Sequence, residues 1–261
     1  MQEISSFTVV IVCLIAGAGA GLGTGFAGMS AAAVISPMLI TFLKMDPYTA
    51  VGIALASDVL ASATSAYTYG KKGNIDIKNG MVMLVAVLIF TFLGSLFASN
   101  VDSSTMGNFS TFVTLGLGIK FIIKPVNNTN AANAEQSATA KIIKSIIAGT
   151  IIGIICGFVG AGGGMMMLII LTSILGYELK TAVGTSVFIM TFTALTGAVS
   201  HFMLDTMPPL APLLLCMLFT LIFARIAANF ANIAPAEKLN RATGYVLTTL
   251  AIVILIANYL S

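Results

Sequence analysis

The chain has 261 residues, of which 58% are hydrophobic and 8% charged. A water-soluble domain carries about 25% charged residues, so 12 Lys or Arg and 9 Asp or Glu leave too little polar material to cover a water-facing exterior. The net charge of +3 is scattered, with no basic run and no alternation of basic and aromatic residues, which argues against nucleic acid as a partner. The remaining solvent is lipid. At about 20 apolar residues per helical span, a chain of this length supplies roughly ten spans with short connections.

In chain order, apolar segments run from Phe7 to Thr24, Ala31 to Leu43, Pro47 to Tyr69, Met81 to Ser99 and Thr105 to Lys124. Met1 to Ser6 carries Glu3 and no Lys or Arg, so the first segment lacks the basic flank of a cleavable signal peptide and reads as a retained helix. A second set runs from Lys141 to Gly157, Met165 to Leu175, Leu179 to Phe202, Pro209 to Ala231 and Leu239 to Leu260. Between the sets lies the extended polar stretch Pro125 to Ala140, which reads as a cytoplasmic linker. The expected organisation is all-α and polytopic: a first membrane repeat over residues 1–124, the linker 125–140 and a second repeat over 141–261.

The two sets are copies. Sliding the chain by 132 positions without gaps puts Gly25, Phe26 and Gly28 on Gly157, Phe158 and Gly160, and Thr49-Ala50-Val51-Gly52 on Thr181-Ala182-Val183-Gly184. Roughly 15 of about 56 positions coincide in this window, as an internal duplication requires. Cytoplasmic loops collect Lys and Arg. Lys71, Lys72 and Lys78 mark one such loop, Lys120, Lys124, Lys141 and Lys144 bracket the linker, and Lys238 and Arg241 mark a third. The loops around Asp102 and Asp205 carry acid without base and read as external. Ten crossings satisfy every assignment and put the two five-segment repeats in opposite orientation.

Inverted repeats characterise secondary transporters, and short, Gly-interrupted segments at matching positions point to their substrate sites. The second and seventh segments, at about 16–20 Å, fall short of a bilayer core of about 30 Å, so their amino-terminal ends must be sunk in the membrane. Those ends are Gly25 to Ser30 and Gly157 to Gly164. A helix amino terminus presents free N–H groups and positive dipole, and glycines admit a ligand close to the backbone. The expected anion-binding backbone is Gly25, Gly28, Met29 and Ser30 in the first copy and Gly160, Ala161, Gly162, Gly163 and Gly164 in the second. The other reading is that these glycines permit tight helix packing.

On the eighth segment Ser186, Thr193, Thr196 and Ser200 lie near one stripe with Thr185 beside it, so Thr185, Ser186 and Thr193 join the candidate site as hydroxyl ligands. Ser and Thr in membrane helices also commonly bond their own backbone, and that reading stands beside the first. Asp58 is in the middle of the third segment with Ser62 and Ser65 on its face. A charged Asp at a helix centre costs about 2.5–3.5 kcal/mol on insertion scales and commonly marks a proton or ion pathway. Asp58 is expected to act as a coupling or gating carboxylate, against the alternative of a protonated Asp bonded to a neighbouring helix. Its duplicate position is Met190. Arg225 is expected to snorkel toward the cytoplasmic surface and His201 to bond locally. Cys13, Cys156 and Cys216 stand singly in apolar stretches and indicate neither disulfide nor metal site, and no nucleotide loop or nucleophile elbow is present. No cofactor and no enzymatic activity are expected.

The chain resembles the TauE/SafE family, the sulfite exporter or TSUP group. The resemblance rests on Gly157-Phe158-Val159-Gly160-Ala161-Gly162-Gly163-Gly164, on Ala182-Val183-Gly184-Thr185-Ser186 and on Thr196-Gly197-Ala198-Val199-Ser200-His201, with a weaker copy in the first half where Met29-Ser30-Ala31-Ala32 replaces the glycines. It implies a carrier of sulfite or small organosulfur anions, coupled to protons, in the cell (inner) membrane. An anion channel on the same scaffold is the runner-up and an intramembrane enzyme the third. The expected partners are a small anion, protons and the bilayer; the oligomeric state stays open, with a homodimer among the forms.

Overall fold

Each helix boundary has a local chemical cause. Ser5 accepts a hydrogen bond from the Phe7 N–H at 3.3 Å and starts α1 (Ser6–Ala27). Gly28, at φ +63°, ends it in the left-handed conformation, its N–H returned to Thr24 O at 3.0 Å. Helix α2 (Ala32–Leu43) stops at Lys44, also left-handed at φ 50°. Asp46 caps α3 (Pro47–Gly70) by accepting from the Thr49 N–H at 3.1 Å, with Pro47 at the first helical position. There follow α4 (Ile77–Ala98), α5 (Ala138–Val159), a π-helical turn at Ile170–Ile174, α6 (Leu179–Leu204) and α7 (Leu210–Ala231).

The computed structural model describes residues 5–98, 138–159, 170–204 and 207–235, with isolated helical positions between 112 and 123, 164 and 168, and 238 and 256. Among these residues the chain is helical with no strand. The expected segments Thr105 to Lys124 and Leu239 to Leu260 lie largely outside the described residues, as do Gly160 to Gly163. Helix α5 begins at Ala138, already within the stretch read as linker.

Four helices, Ser6–Ala27, Pro47–Gly70, Leu179–Met203 and Leu210–Ala231, are long and apolar enough to cross a bilayer. Polarity is arranged inside out, as lipid demands. Leu214, Leu218, Ile222, Ile226 and Phe230 form an exposed stripe along α7, and Ile143, Ile147, Ile151 and Ile154 another along α5. Ser30, Ser57, Asp58, Ser65, Thr185 and Ser186 are all buried. Helix α3 is enclosed along most of its length, with Tyr67 its exposed large side chain.

Helix pairs follow a pattern. Helix α1 lies against α7 and α5 against α4; α3 packs on α6 and α7, and α6 in turn on α4. Between lipid-soaked helices there is no hydrophobic driving force, and close approach through small residues takes its place. A Cβ on Gly17 would stand 2.6 Å from Phe219 Cβ, and one on Gly21 2.6 Å from the Thr220 carbonyl and 2.7 Å from the Ala224 nitrogen, so α1 meets α7 backbone to backbone. The same holds 132 residues on: a Cβ on Gly149 would lie 2.9 Å from the Met83 carbonyl, and one on Gly153 2.7 Å from the Val87 carbonyl of α4.

Because the obstructing atoms at Gly21 are backbone, a single added methyl has to push α1 from α7. Gly21→Ala is expected to destabilise the protein by about 1–3 kcal/mol, whereas Gly116→Ala, at a helical position whose Cβ meets nothing within 4 Å, should not lower stability. Thermal unfolding followed by thiol-reactive dye labelling of the buried Cys13, Cys156 and Cys216 measures both.

Candidate functional site

The break between α1 and α2 is the one place in this part of the chain where backbone leaves helix inside the protein. It is shorter than the sequence suggests. Gly25, Phe26 and Ala27 belong to the last turn of α1, and only Gly28 to Ala31 are non-helical. Gly25 is a packing glycine, since a Cβ there would come within 2.6 Å of the Ala224 carbonyl; its own carbonyl accepts from the Tyr69 hydroxyl at 3.1 Å. Gly28 needs its missing side chain twice over, for a positive φ and because a Cβ would stand 2.6 Å from Ser186 Oγ of α6. Met29 is fully buried with its side chain turned back onto Gly23 of α1.

Ser30 and Asp58 join the break to the centre of α3. Ser30 Oγ donates to Asp58 Oδ2 at 2.6 Å, and Ser30 Oγ also accepts from the Ala32 N–H at 3.3 Å. The Ala31 N–H donates to the same carboxylate. Asp58 thus caps α2 from another helix: its carboxyl group lies at the positive end of the α2 dipole, on the Ser30 hydroxyl and the Ala31 N–H. Both residues are buried, Asp58 at 1% exposure, halfway along a helix of 24 residues. Asp58 Oδ1 has no hydrogen-bond partner among the described residues, nor has Ser65 Oγ, two turns further along the same face of α3. Between them Ser62 Oγ returns its proton to the Asp58 carbonyl at 2.5 Å.

The second glycine run reaches the first break at Gly164. A Cβ on Gly164 would collide with the Gly28 carbonyl and with Met190 Sδ. Gly28, Gly164, Ser186 and Met190 therefore meet in the interior, where Met190 takes in the second half the register that Asp58 takes in the first. Gly160, Ala161, Gly162 and Gly163 lie outside the described residues.

The hydroxyls of α6 behave differently from one another. Ser186 Oγ donates to Val183 O at 2.8 Å, Thr193 Oγ1 to Ile189 O at 3.0 Å and Ser200 Oγ to Thr196 O. A hydroxyl has one proton, and here it is committed to the helix's own carbonyl. Thr185 Oγ1 instead accepts from the Asp76 N–H at 3.0 Å and clamps the α3–α4 connection. The same connection is held by Asn74, which donates to Asn232 Oδ1 at 3.3 Å, while Lys180 Nζ donates to Asn232 O at 2.8 Å. The end of α3, the start of α6 and the end of α7 therefore share one end of the bundle. At the opposite end Tyr48 of α3 stacks on His201 of α6 with ring centroids 4.2 Å apart, and His201 Nδ1 bonds locally to Gly197 O at 2.9 Å. Among the described residues no group of three or more His, Cys, Asp or Glu side chains stands together as a metal site would require.

Two features escaped sequence reasoning. The Ser30–Asp58 bond joins residues 28 apart on different helices, and no periodicity within one helix reports it. Tyr69 was read as a span end, yet it is buried and bonded to the last turn of α1; a Tyr at a helix end next to a basic loop is the signal that was available.

Comparison with known proteins agrees with this architecture. The chain is similar to the probable membrane transporter protein YunE of Bacillus subtilis (strain 168), at 27% identity over 75% of this chain and 78% of the relative. It is similar to the probable membrane transporter protein YdhB of the same organism, at 24% identity over 85% of this chain and 90% of the relative. A probable membrane transporter protein of Haemophilus influenzae (strain ATCC 51907 / DSM 11121 / KW20 / Rd) is 26% identical over 79% of this chain and 78% of its own length. No solved structure matches the chain. The family model for the sulfite exporter TauE/SafE matches residues 13–254, and with its buried helical interior and apolar exterior the chain belongs to the TauE/SafE family of multi-pass membrane transporters.

Proposed function

We propose that the chain is a secondary carrier of a small oxyanion, of the sulfite or organosulfur class, coupled to protons through Asp58. The observation that carries this reading is the bond from Ser30 to Asp58 at the helix break. Asp58 is a tethered anion sitting on the donors that the α2 amino terminus offers. When Asp58 takes up a proton, its hold on the Ser30 hydroxyl and the Ala31 N–H weakens, and an arriving anion takes those donors in its place. Proton and anion then travel together. When the proton leaves on the other side, the carboxylate reclaims the donors and expels the anion. Each site can release as well as bind, because the anion is held by a few hydrogen bonds and a helix dipole.

In this reading the substrate donors are the Ser30 hydroxyl and the Ala31 N–H together with the backbone of Gly160 to Gly164; Gly28 and Met29, whose N–H groups return to α1, shape the break, and Ser186 lies against Gly28. Gly25, Thr185 and Thr193 support the site from packing, clamping and back-bonded positions. Met190 leaves the second loop without a tethered carboxylate, so one half carries the coupling group. The inverted arrangement, residues 1–124 against 141–261 across the linker 125–140, is supported by the mirrored helix pairs, α1 on α7 with α5 on α4 and α3 on α7 with α6 on α4. The shared end of Lys71, Lys72, Lys180 and Asn232 supports a cytoplasmic face there.

Two variants test the coupling in proteoliposomes, with sulfite, thiosulfate, sulfoacetate and small carboxylates as substrates. Uptake by the native protein should saturate and should accelerate under an inward acid gradient; flux that does neither indicates a channel. Asp58→Asn cannot release a proton, so gradient-driven accumulation should be lost while anion exchange at equal pH continues. Accumulation that survives in Asp58→Asn sinks the coupling role. Ser30→Ala removes a charge-assisted bond of about 1.5–3 kcal/mol and, with it, one donor to the anion. The expected result is an apparent KM raised on the order of tenfold, and an unchanged KM removes Ser30 from the site.

A further inference from the structure

A cavity of about 420 Å³ opens at the basic end of the bundle, between α3 and α7. Helix α3 lines it with Thr64, Thr68 and, just past its end, Lys71, three residues at the spacing of one helix face; Lys72 follows. From α7 come Arg225 and Asn229, one turn apart. No carboxylate lines the cavity, and among the described residues no ion pair joins Arg225, Lys71 or Lys72 to an acid. Three cations around one opening repel each other unless an anion stands between them.

Its depth and donors define what fits. Arg225 lies six residues before the end of α7, about 9 Å from the helix terminus, with the exposed Ile222 and Ile226 beside it. That places the guanidinium at the boundary between acyl chains and headgroups, with the lysines farther out. Lys71 Nζ lies 4.6 Å from the centroid of the Tyr67 ring, so part of its freedom to swing into bulk water is already given up. A guanidinium takes two oxygens of a tetrahedral anion in a fork, ammonium groups act as point charges, and the threonine hydroxyls and Asn229 amide add neutral donors. We propose that this cavity is a binding site for a phosphate- or sulfonate-type oxyanion, carried either by an anionic lipid headgroup or by a free anion at the mouth of the protein. It is separate from the Ser30–Asp58 break and is read by equilibrium binding, so its failure leaves the carrier reading untouched.

The test uses the full-length chain in phosphatidylcholine nanodiscs. Inorganic phosphate or methanesulfonate is titrated at constant ionic strength in one arm, and phosphatidylglycerol is added to the discs in the other. Labelling of the three buried cysteines on heating reports stabilisation. A rise in the unfolding midpoint with the free anions in neutral discs identifies a soluble ligand, and a rise only with phosphatidylglycerol identifies a headgroup. In either case Arg225→Gln, and separately Lys71→Gln with Lys72→Gln, should raise the half-saturating concentration about tenfold. Lys44→Gln, at the opposite end of α3, should not change it. No stabilisation by any of these ligands, or stabilisation undiminished in Arg225→Gln, overturns the site.

Discussion

Hydrocarbon supplies no hydrogen bonds, so every polar backbone group sunk in a bilayer must find its partner in the protein. Helices meet this demand by themselves, and the hard place in this chain is where a helix stops inside the protein. The α1–α2 break meets it with four devices in as many residues. Gly28 turns left-handed and returns its N–H to α1, Met29 donates to Gly23 O at 3.3 Å, Ser30 caps the Ala32 N–H, and Asp58 comes across from α3 to take the Ser30 hydroxyl and the Ala31 N–H. Remove the carboxylate's partners and Asp58 stands buried and bare; remove Asp58 and α2 begins with open donors. Each half of the arrangement makes the other tolerable.

That interdependence explains why the surrounding helices approach so closely. Gly28 touches Ser186 on α6, Gly164 touches Gly28 and Met190, and Gly184 sits against the Asn74 carbonyl, all without room for a Cβ. Glycines at 17, 21 and 25 seat α1 on α7, holding the start of the break at a fixed height against Tyr69. The same glycine spacing at 149 and 153 seats α5 on α4. Duplicated glycines of this kind bring helix backbones close. They set the distance at which the α1–α2 break and Gly164 meet in the interior.

Much of this was legible in the sequence, and the limits have physical reasons. Apolar length located the described helices to within a few residues, because lipid imposes a length and a composition on each span. Asp58 stood out because one carboxylate among apolar neighbours is costly. What periodicity within single segments could not supply was the partner of each residue. Gly25 and Gly28 look alike in a row of glycines, yet one packs a helix and the other ends it. In the hydroxyl stripe of α6 the ligand and back-bonding readings stand side by side in the sequence, and the structure supplies the partner: for Ser186, Thr193 and Ser200 the hydroxyl donates to a carbonyl one turn back on the same helix. In the linear chain Lys71 and Lys72 read as topology markers and Arg225 as a snorkelling side chain, and only the packing of α3 on α7 puts them around one cavity.

The departure from symmetry is the feature that a transport mechanism has to use. In the proposed inverted arrangement, two copies of one scaffold facing opposite ways would give two states of similar energy but no reason to link substrate to an ion. Asp58 in the first copy and Met190 in the second supply a difference at the same register, next to loops that touch. A methionine sulfur neither holds a proton nor competes for N–H donors, so in the proposed mechanism the second loop binds anions without regard to protons. In the same proposed mechanism the α1–α2 break frees its donors only when Asp58 is neutral. One carboxylate then links one proton to each anion cycle, and a monoanion crosses with no net charge moved. Placing a second carboxylate at Met190 would tether both helix termini and leave the anion no unoccupied donors from which to start.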